Sequence, residues 1–124
     1  MSSIEQKSIL LVDDDEDYRS IVVDLLQGEG FVVREAATGM AAIDYLKGAN
    51  PRPNLVLLDV GMPGMSGLEV VEVLRNDTHL ATVPIVVVTG VPASRFSSPS
   101  SVMEFLTKPF RFADLLAVVQ RYAG

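Results

Sequence analysis

Two rhythms of apolar residues alternate along the chain. Short runs without alternation, Ser8–Val12 (SILLV), Leu55–Leu58 (LVLL) and Ile85–Thr89 (IVVVT), stop abruptly at charged or turn-forming residues. Such runs predict strands buried on both faces. Phe31–Val33, followed by Arg34, is shorter and more polar and predicts an edge strand; Phe105–Thr107 predicts a last short one. Between the runs the apolar spacing becomes helical. Tyr18, Ile21, Val22, Leu25 and Leu26 predict a first helix, ended by Gly28 and Gly30. A second runs from Thr38-Gly39 through Ala42, Ile43 and Leu46, stopped by Gly48 and then Pro51 and Pro53. A third spans Gly67 to Asn76, with Leu68, Val71 and Leu74 on one face and Val70 and Val73 widening it. The last covers Ala113 to Tyr122, its apolar side made by Leu115, Leu116, Val118, Val119 and Tyr122.

Strands alternating with helices predict an α/β fold. Five strands joined by right-handed crossovers give a flavodoxin-like, doubly wound parallel sheet of order 2-1-3-4-5. Its crevice lies at the carboxyl ends of the first and third strands. Residues 1–124 read as one domain, with 1–6 a flexible tail and no repeat or linker. The last helix runs almost to Gly124, so no output module is expected after it. One segment breaks the pattern. Val91 to Ser101 (VPASRFSSPSS) holds two prolines and five serines, so the helix between the fourth and fifth strands is expected to be short or irregular.

Charge narrows the function. A formal net charge of −6 and a pI near 4.6 argue against direct nucleic-acid binding, which needs a basic footprint. The chain has no cysteine, which excludes disulfides and thiolate metal sites. No apolar run approaches the about 18 residues of a membrane span, and the N-terminus lacks the charge and apolar pattern of a secretory signal. The expectation is a cytoplasmic protein without membrane insertion.

Candidate chemistry collects at the strand ends. The first strand ends in Asp13 and Asp14, the third in Asp59, the fourth in Thr89 and the fifth in Lys108. In a parallel sheet all of these reach one edge. Carboxylates crowded at about 4 Å repel by roughly 4 kcal/mol per pair at an effective dielectric near 20, so they share a proton or hold a cation. Hard oxygen donors without His or Cys suit Mg²⁺ or Mn²⁺. Lys108 can neutralise an acid or hold a phosphoryl oxygen, and Thr89 offers a hydroxyl. Each has a plainer reading alone: a surface lysine, a strand-ending threonine, an acidic helix start. That last reading is preferred for Asp15, Glu16 and Asp17, as cap and first turn. Their joint placement supplies the parts for phosphoryl transfer to an aspartate.

With ILLVDDDEDYR, LVLLDVGMPGMSGLE, PIVVVTG and LTKPF in this order, from about Lys7 to Ala123, the chain resembles the receiver domain of two-component response regulators. The resemblance implies Asp59 as phosphoacceptor. It implies Asp14, Asp59 and the Gly61 carbonyl as metal ligands, with Asp13 in the outer shell. Thr89 matches the switch hydroxyl, Lys108 the lysine before a cis proline, and Phe105 the switch aromatic, although an aromatic there could also pack on the last helix. It further implies a sensor histidine kinase or histidine phosphotransfer protein as donor, and a partner-binding surface that changes on phosphorylation.

The chain also departs from the family. The 19 positions from Thr89 to Lys108 are fewer than is usual, and the shortfall falls in Val91–Ser101, which puts the usual output face in doubt. Gly90 stands where Ala or Ser is common, so an acyl phosphate is expected to be poorly shielded. His79 reads as a solvated loop residue, and Met62 and Met65 as packing. Two rivals remain. One is a receiver-like module that binds partners without phosphorylation, opposed by the complete residue set. The other is a Mg²⁺-dependent phosphatase with an aspartyl nucleophile, opposed by Gly61 where such enzymes carry a second Asp.

Overall fold

The computed structural model describes residues 7–49, 51–59, 61, 67–90 and 102–123. In order they form β1 (Ser8–Val12), α1 (Glu16–Gly28), β2 (Val32–Ala36), α2 (Gly39–Gly48), β3 (Leu55–Asp59), α3 (Gly67–Arg75), β4 (Ile85–Thr89), β5 (Val102–Thr107) and α4 (Phe112–Tyr122). All the pairings are parallel, in the order β2-β1-β3-β4-β5. This is the doubly wound sheet that the alternation predicts. The expected N-terminal tail, the Met62 and Met65 loop and the expected irregular helix between β4 and β5 lie outside the described residues.

The unalternated runs behave as strands covered on both sides. Leu10, Val12, Val56, Leu58, Ile85 and Val87 face α2 and α3, packing on Ala42, Ile43, Leu46, Val70, Val71 and Leu74. Their neighbours Ile9, Leu11, Leu55, Leu57, Val86 and Val88 face α1 and α4, meeting Val22, Val23, Leu26, Leu115, Val118 and Val119. Successive side chains of a strand point to opposite faces, so five-residue strands serve two cores at once.

Several elements differ from the pattern-based expectation. α1 turns Val22, Val23 and Leu26 inward, while Ile21 is 60% exposed and Leu25 is exposed too. The five-residue apolar stripe is broader than the sheet covers, and Val23 takes the inner place. In α3 the buried residues are Val70, Val71 and Leu74, with Leu68 and Val73 only partly covered. β2 begins one residue later than expected and runs on through exposed Arg34 and Glu35; an edge strand tolerates them because one flank meets solvent. β5 begins at Val102 rather than Phe105, with a register irregularity opposite Ile85 and Val86.

The amino edge of the sheet is closed by polar bonds. Asn54 Oδ1 accepts from the Ser8 N–H at 2.8 Å. The Arg52 guanidinium donates to the His79 carbonyl and, at 3.0 Å, to Thr82 Oγ1. His79 itself is exposed.

Helix facing gives a paired test. Leu26→Ala should lower unfolding free energy by about 2–5 kcal/mol, and Ile21→Ala should change it by no more than about 0.5 kcal/mol. Urea titration measures both; comparable losses would contradict the facing of α1.

Candidate functional site

At the carboxyl edge, β1 hands the chain to Asp13, which is only 2% exposed. The Asp13 N–H donates to the Ala36 carbonyl at 3.1 Å, extending the pairing with β2 by one step. Both carboxylate oxygens are engaged: Oδ1 accepts from the Asp15 N–H at 2.9 Å and Oδ2 from Lys108 Nζ at 3.0 Å. The acidic run thus divides by role. Asp14 is exposed. Asp15 caps α1, its side chain accepting from the Tyr18 N–H at 3.1 Å. Glu16 and Asp17 occupy the first turn, where helix amides favour negative charge. The expectation for these three is met.

Asp59 ends β3 with its side chain 13% exposed. Its Oδ1 accepts from the Gly61 N–H at 2.9 Å, and its Oδ2 lies 4.0 Å from Lys108 Nζ. One carboxylate oxygen each from Asp13, Asp14 and Asp59 lie within 4.8 Å of one another. Burial pushes the Asp59 carboxyl above its ordinary value of 3.8; the Gly61 N–H and Lys108 oppose this, and Asp13 and Asp14 add to it. Ionised, the three acids and Lys108 carry a net charge of −2. An all-oxygen set with that charge fits a hard divalent cation such as Mg²⁺ or Mn²⁺.

Lys108 reaches the site from the end of β5. Its N–H donates to the Thr89 carbonyl at 2.6 Å, and the Lys108–Pro109 peptide is cis. Thr89, at 1% exposure, is buried at the end of β4. Phe105 is half-buried and packs with the α2/α3 core. The registry of β5 explains this: Phe105 sits opposite Val87, which belongs to that core, while Leu106 turns toward α4. A Cβ on Gly90 would meet no atom within 4 Å, so the position after Thr89 is open among the described residues.

Two residues of α1 join the site without having been singled out by sequence. Arg19 donates to the Asp13 carbonyl at 2.8 Å and to Glu35 Oε1 at 3.1 Å. The Tyr18 ring centroid lies 4.1 Å from Lys108 Nζ, and the ring meets Phe110 edge-on at 6.3 Å. Burial, then the charges of Asp13 and Asp59, push the Tyr18 phenol upward, so it stays protonated. Periodicity alone places Tyr18 only as an apolar helix position. The available signal was its place one turn beyond Asp14, on a helix that starts at the strand end.

Fold and site together define a parallel α/β domain with an acidic, lysine-flanked, cation-ready crevice at the carboxyl edge of its sheet. The chain belongs to the response regulator receiver domain family, whose profile matches residues 9–120. It is 33% identical to the DNA-binding response regulator MtrA of Mycobacterium tuberculosis over 120 residues, covering 97% of this chain and 51% of MtrA. The chain therefore spans about half the length of that regulator. A CheY-like receiver domain protein of Methanospirillum hungatei superposes with a TM-score of 0.85 at 28% identity, covering 94% of this chain and 93% of that one. The response regulator TrrA of Thermotoga maritima, solved in complex with Mg²⁺-BeF, gives a TM-score of 0.80 at 32% identity, covering 94% and 99%.

The Asp59 environment sets a pH signature. A carboxyl whose pKa is raised on folding leaves the native state holding more protons than the unfolded chain, so stability falls as pH rises through that window. In metal-free buffer Asp59→Asn should therefore be more stable than the parent at neutral pH, by on the order of 1 kcal/mol. The gap should open as pH rises from just below the ordinary carboxylate range and then level off. Thermal melts across that range measure it; a gap independent of pH would refute the stated cause.

Proposed function

We infer that this receiver domain accepts a phosphoryl group on Asp59. The observation that carries the reading is the position of Lys108 Nζ, bonded to Asp13 and 4.0 Å from Asp59, at the edge where three carboxylates converge. One oxygen of Asp59 is held by the Gly61 N–H, leaving the other as nucleophile. It attacks the phosphorus of a phosphohistidine on a sensor histidine kinase or histidine phosphotransfer protein. The new O–P bond forms as the P–N bond breaks, and the electron pair remains on the imidazole, which takes a proton from solvent. Transfer of this kind depends on positioning and charge stabilisation.

Asp14, Asp59 and the Gly61 carbonyl would hold Mg²⁺ or Mn²⁺. When bound, the cation neutralises charge on the phosphoryl oxygens. Asp13 acts through an intervening water, a role supported by the engagement of both its oxygens with Asp15 and Lys108. Phosphorylation adds roughly −1.5 to −2 charge, which Lys108 and the cation offset. Thr89 then donates its hydroxyl to the phosphoryl group. Phe105, which shares the Thr89 face of the sheet two residues away along the neighbouring strand, follows and alters the partner-binding surface. The open position at Gly90 supports a phosphoryl group that water reaches readily. The protein acts as a regulatory phosphoacceptor in the cytoplasm, not as an enzyme with a separate substrate. No helix among the described residues is long and apolar enough to cross a membrane.

Incubation with acetyl phosphate and Mg²⁺ should add the mass of one phosphoryl group, absent in Asp59→Asn; unmodified parent protein, or an equally modified variant, sinks the reading. In the same preparation Mg²⁺ at tenfold its Kd should raise unfolding free energy by about 1.4 kcal/mol, and Asp14→Asn should abolish the gain.

A further inference from the structure

Lys108 carries a long cationic side chain into a crowded place, and its backbone N–H donates to the Thr89 carbonyl. Its ammonium has three donors and no acceptor. One points to Asp13 Oδ2 at 3.0 Å. The Asp59 Oδ2 atom is 4.0 Å away, an ion-pair distance but beyond a hydrogen bond. An ammonium held by Asp13 alone could swing about that carboxylate toward α1 and lose its bearing on Asp59. The space on that side is filled by the Tyr18 ring, with Nζ 4.1 Å from its centroid. The ring is itself braced edge-on by Phe110 at 6.3 Å, and the Tyr18 backbone is fixed by the Asp15 cap. A cavity of about 240 Å³ lined by Tyr18, Lys108, Pro109 and Phe110 adjoins this contact.

We propose that Tyr18 is a positioning residue for phosphoryl acceptance: its ring face holds the Lys108 ammonium between Asp13 and Asp59 by a cation–π contact. The ring acts on Lys108 and not on the phosphoryl group. It keeps the ammonium close enough to Asp59 to meet an incoming phosphoryl oxygen, without pinning the nucleophile in a direct hydrogen bond. The ring face carries this role and the phenol oxygen does not, because a cation above a ring is drawn by the π-system. The proposal rests on the phosphoacceptor reading for its catalytic consequence, but the contact itself is independent of it.

The test uses the full chain with Tyr18→Phe, which keeps the ring, and Tyr18→Leu, which keeps apolar bulk. NMR of the Lys108 ε-methylene protons reads the contact without phosphorylation. Upfield ring-current shifts should be present in the parent and in Tyr18→Phe and absent in Tyr18→Leu. The rate of modification by acetyl phosphate with Mg²⁺ should be near parental in Tyr18→Phe and lower by about three- to tenfold in Tyr18→Leu, within the range of a partly exposed cation–π contact. In a Lys108→Met background, Tyr18→Leu should cause no further loss. Missing ring-current shifts in the parent overturn the proposal. So does a Tyr18→Phe rate as low as that of Tyr18→Leu, or an undiminished Tyr18→Leu effect without Lys108. If the parent is not modified at all, the phosphoacceptor reading fails, and the NMR comparison still decides the contact.

Discussion

Three carboxylates gathered at the end of an otherwise apolar sheet, two of them beside one ammonium, are the constraint on which this molecule turns. Asp13, Asp14 and Asp59 bring oxygens within 4.8 Å of one another, and Lys108 compensates only part of their charge. At such separations each repulsion is of the order of a few kcal/mol. The acids stay together because the strands that carry them cannot move apart. β1 and β3 are hydrogen-bonded neighbours in the middle of the sheet, and their side chains are buried in both helical layers. The core holds the charges in place, and the partly unmet negative charge makes the edge favourable for a cation.

Around that cluster the supporting contacts form a ring of small obligations. Asp15 caps α1 and also bonds Asp13. Arg19 grips the Asp13 carbonyl while pairing with Glu35 of β2. Lys108 meets β4 through its backbone and Asp13 through its side chain. The first turns of α1 therefore do more than start a helix: they orient the buried acid and flank the cation opposite it.

Much of this is legible in the sequence, because it depends on local signals. Apolar runs bounded by Gly, Pro or Asp gave β1, β3 and β4 almost to the residue, and the strand ends gave Asp13, Asp59 and Thr89. What escaped depends on neighbours. The start of β5 at Val102 follows a serine-rich stretch that carries no strand signal. The facing of α1 depends on where the sheet lies, which periodicity with five apolar candidates leaves open. The face of Phe105 is fixed by its registry with Val87, a long-range fact. Tyr18 and Lys108 are far apart in sequence, and only the fold sets one over the other.

The opposite edge of the sheet has a different character. Asn54, Arg52, Thr82 and the His79 carbonyl join the chain there through hydrogen bonds. A five-residue strand separates the two edges by about 16 Å, roughly twice the Debye length of about 8 Å at physiological ionic strength. Through solvent, charge at the Asp59 end of the sheet is therefore strongly screened at the Arg52 edge. Under that screening, whatever reads charge at the carboxyl edge electrostatically has to touch that edge.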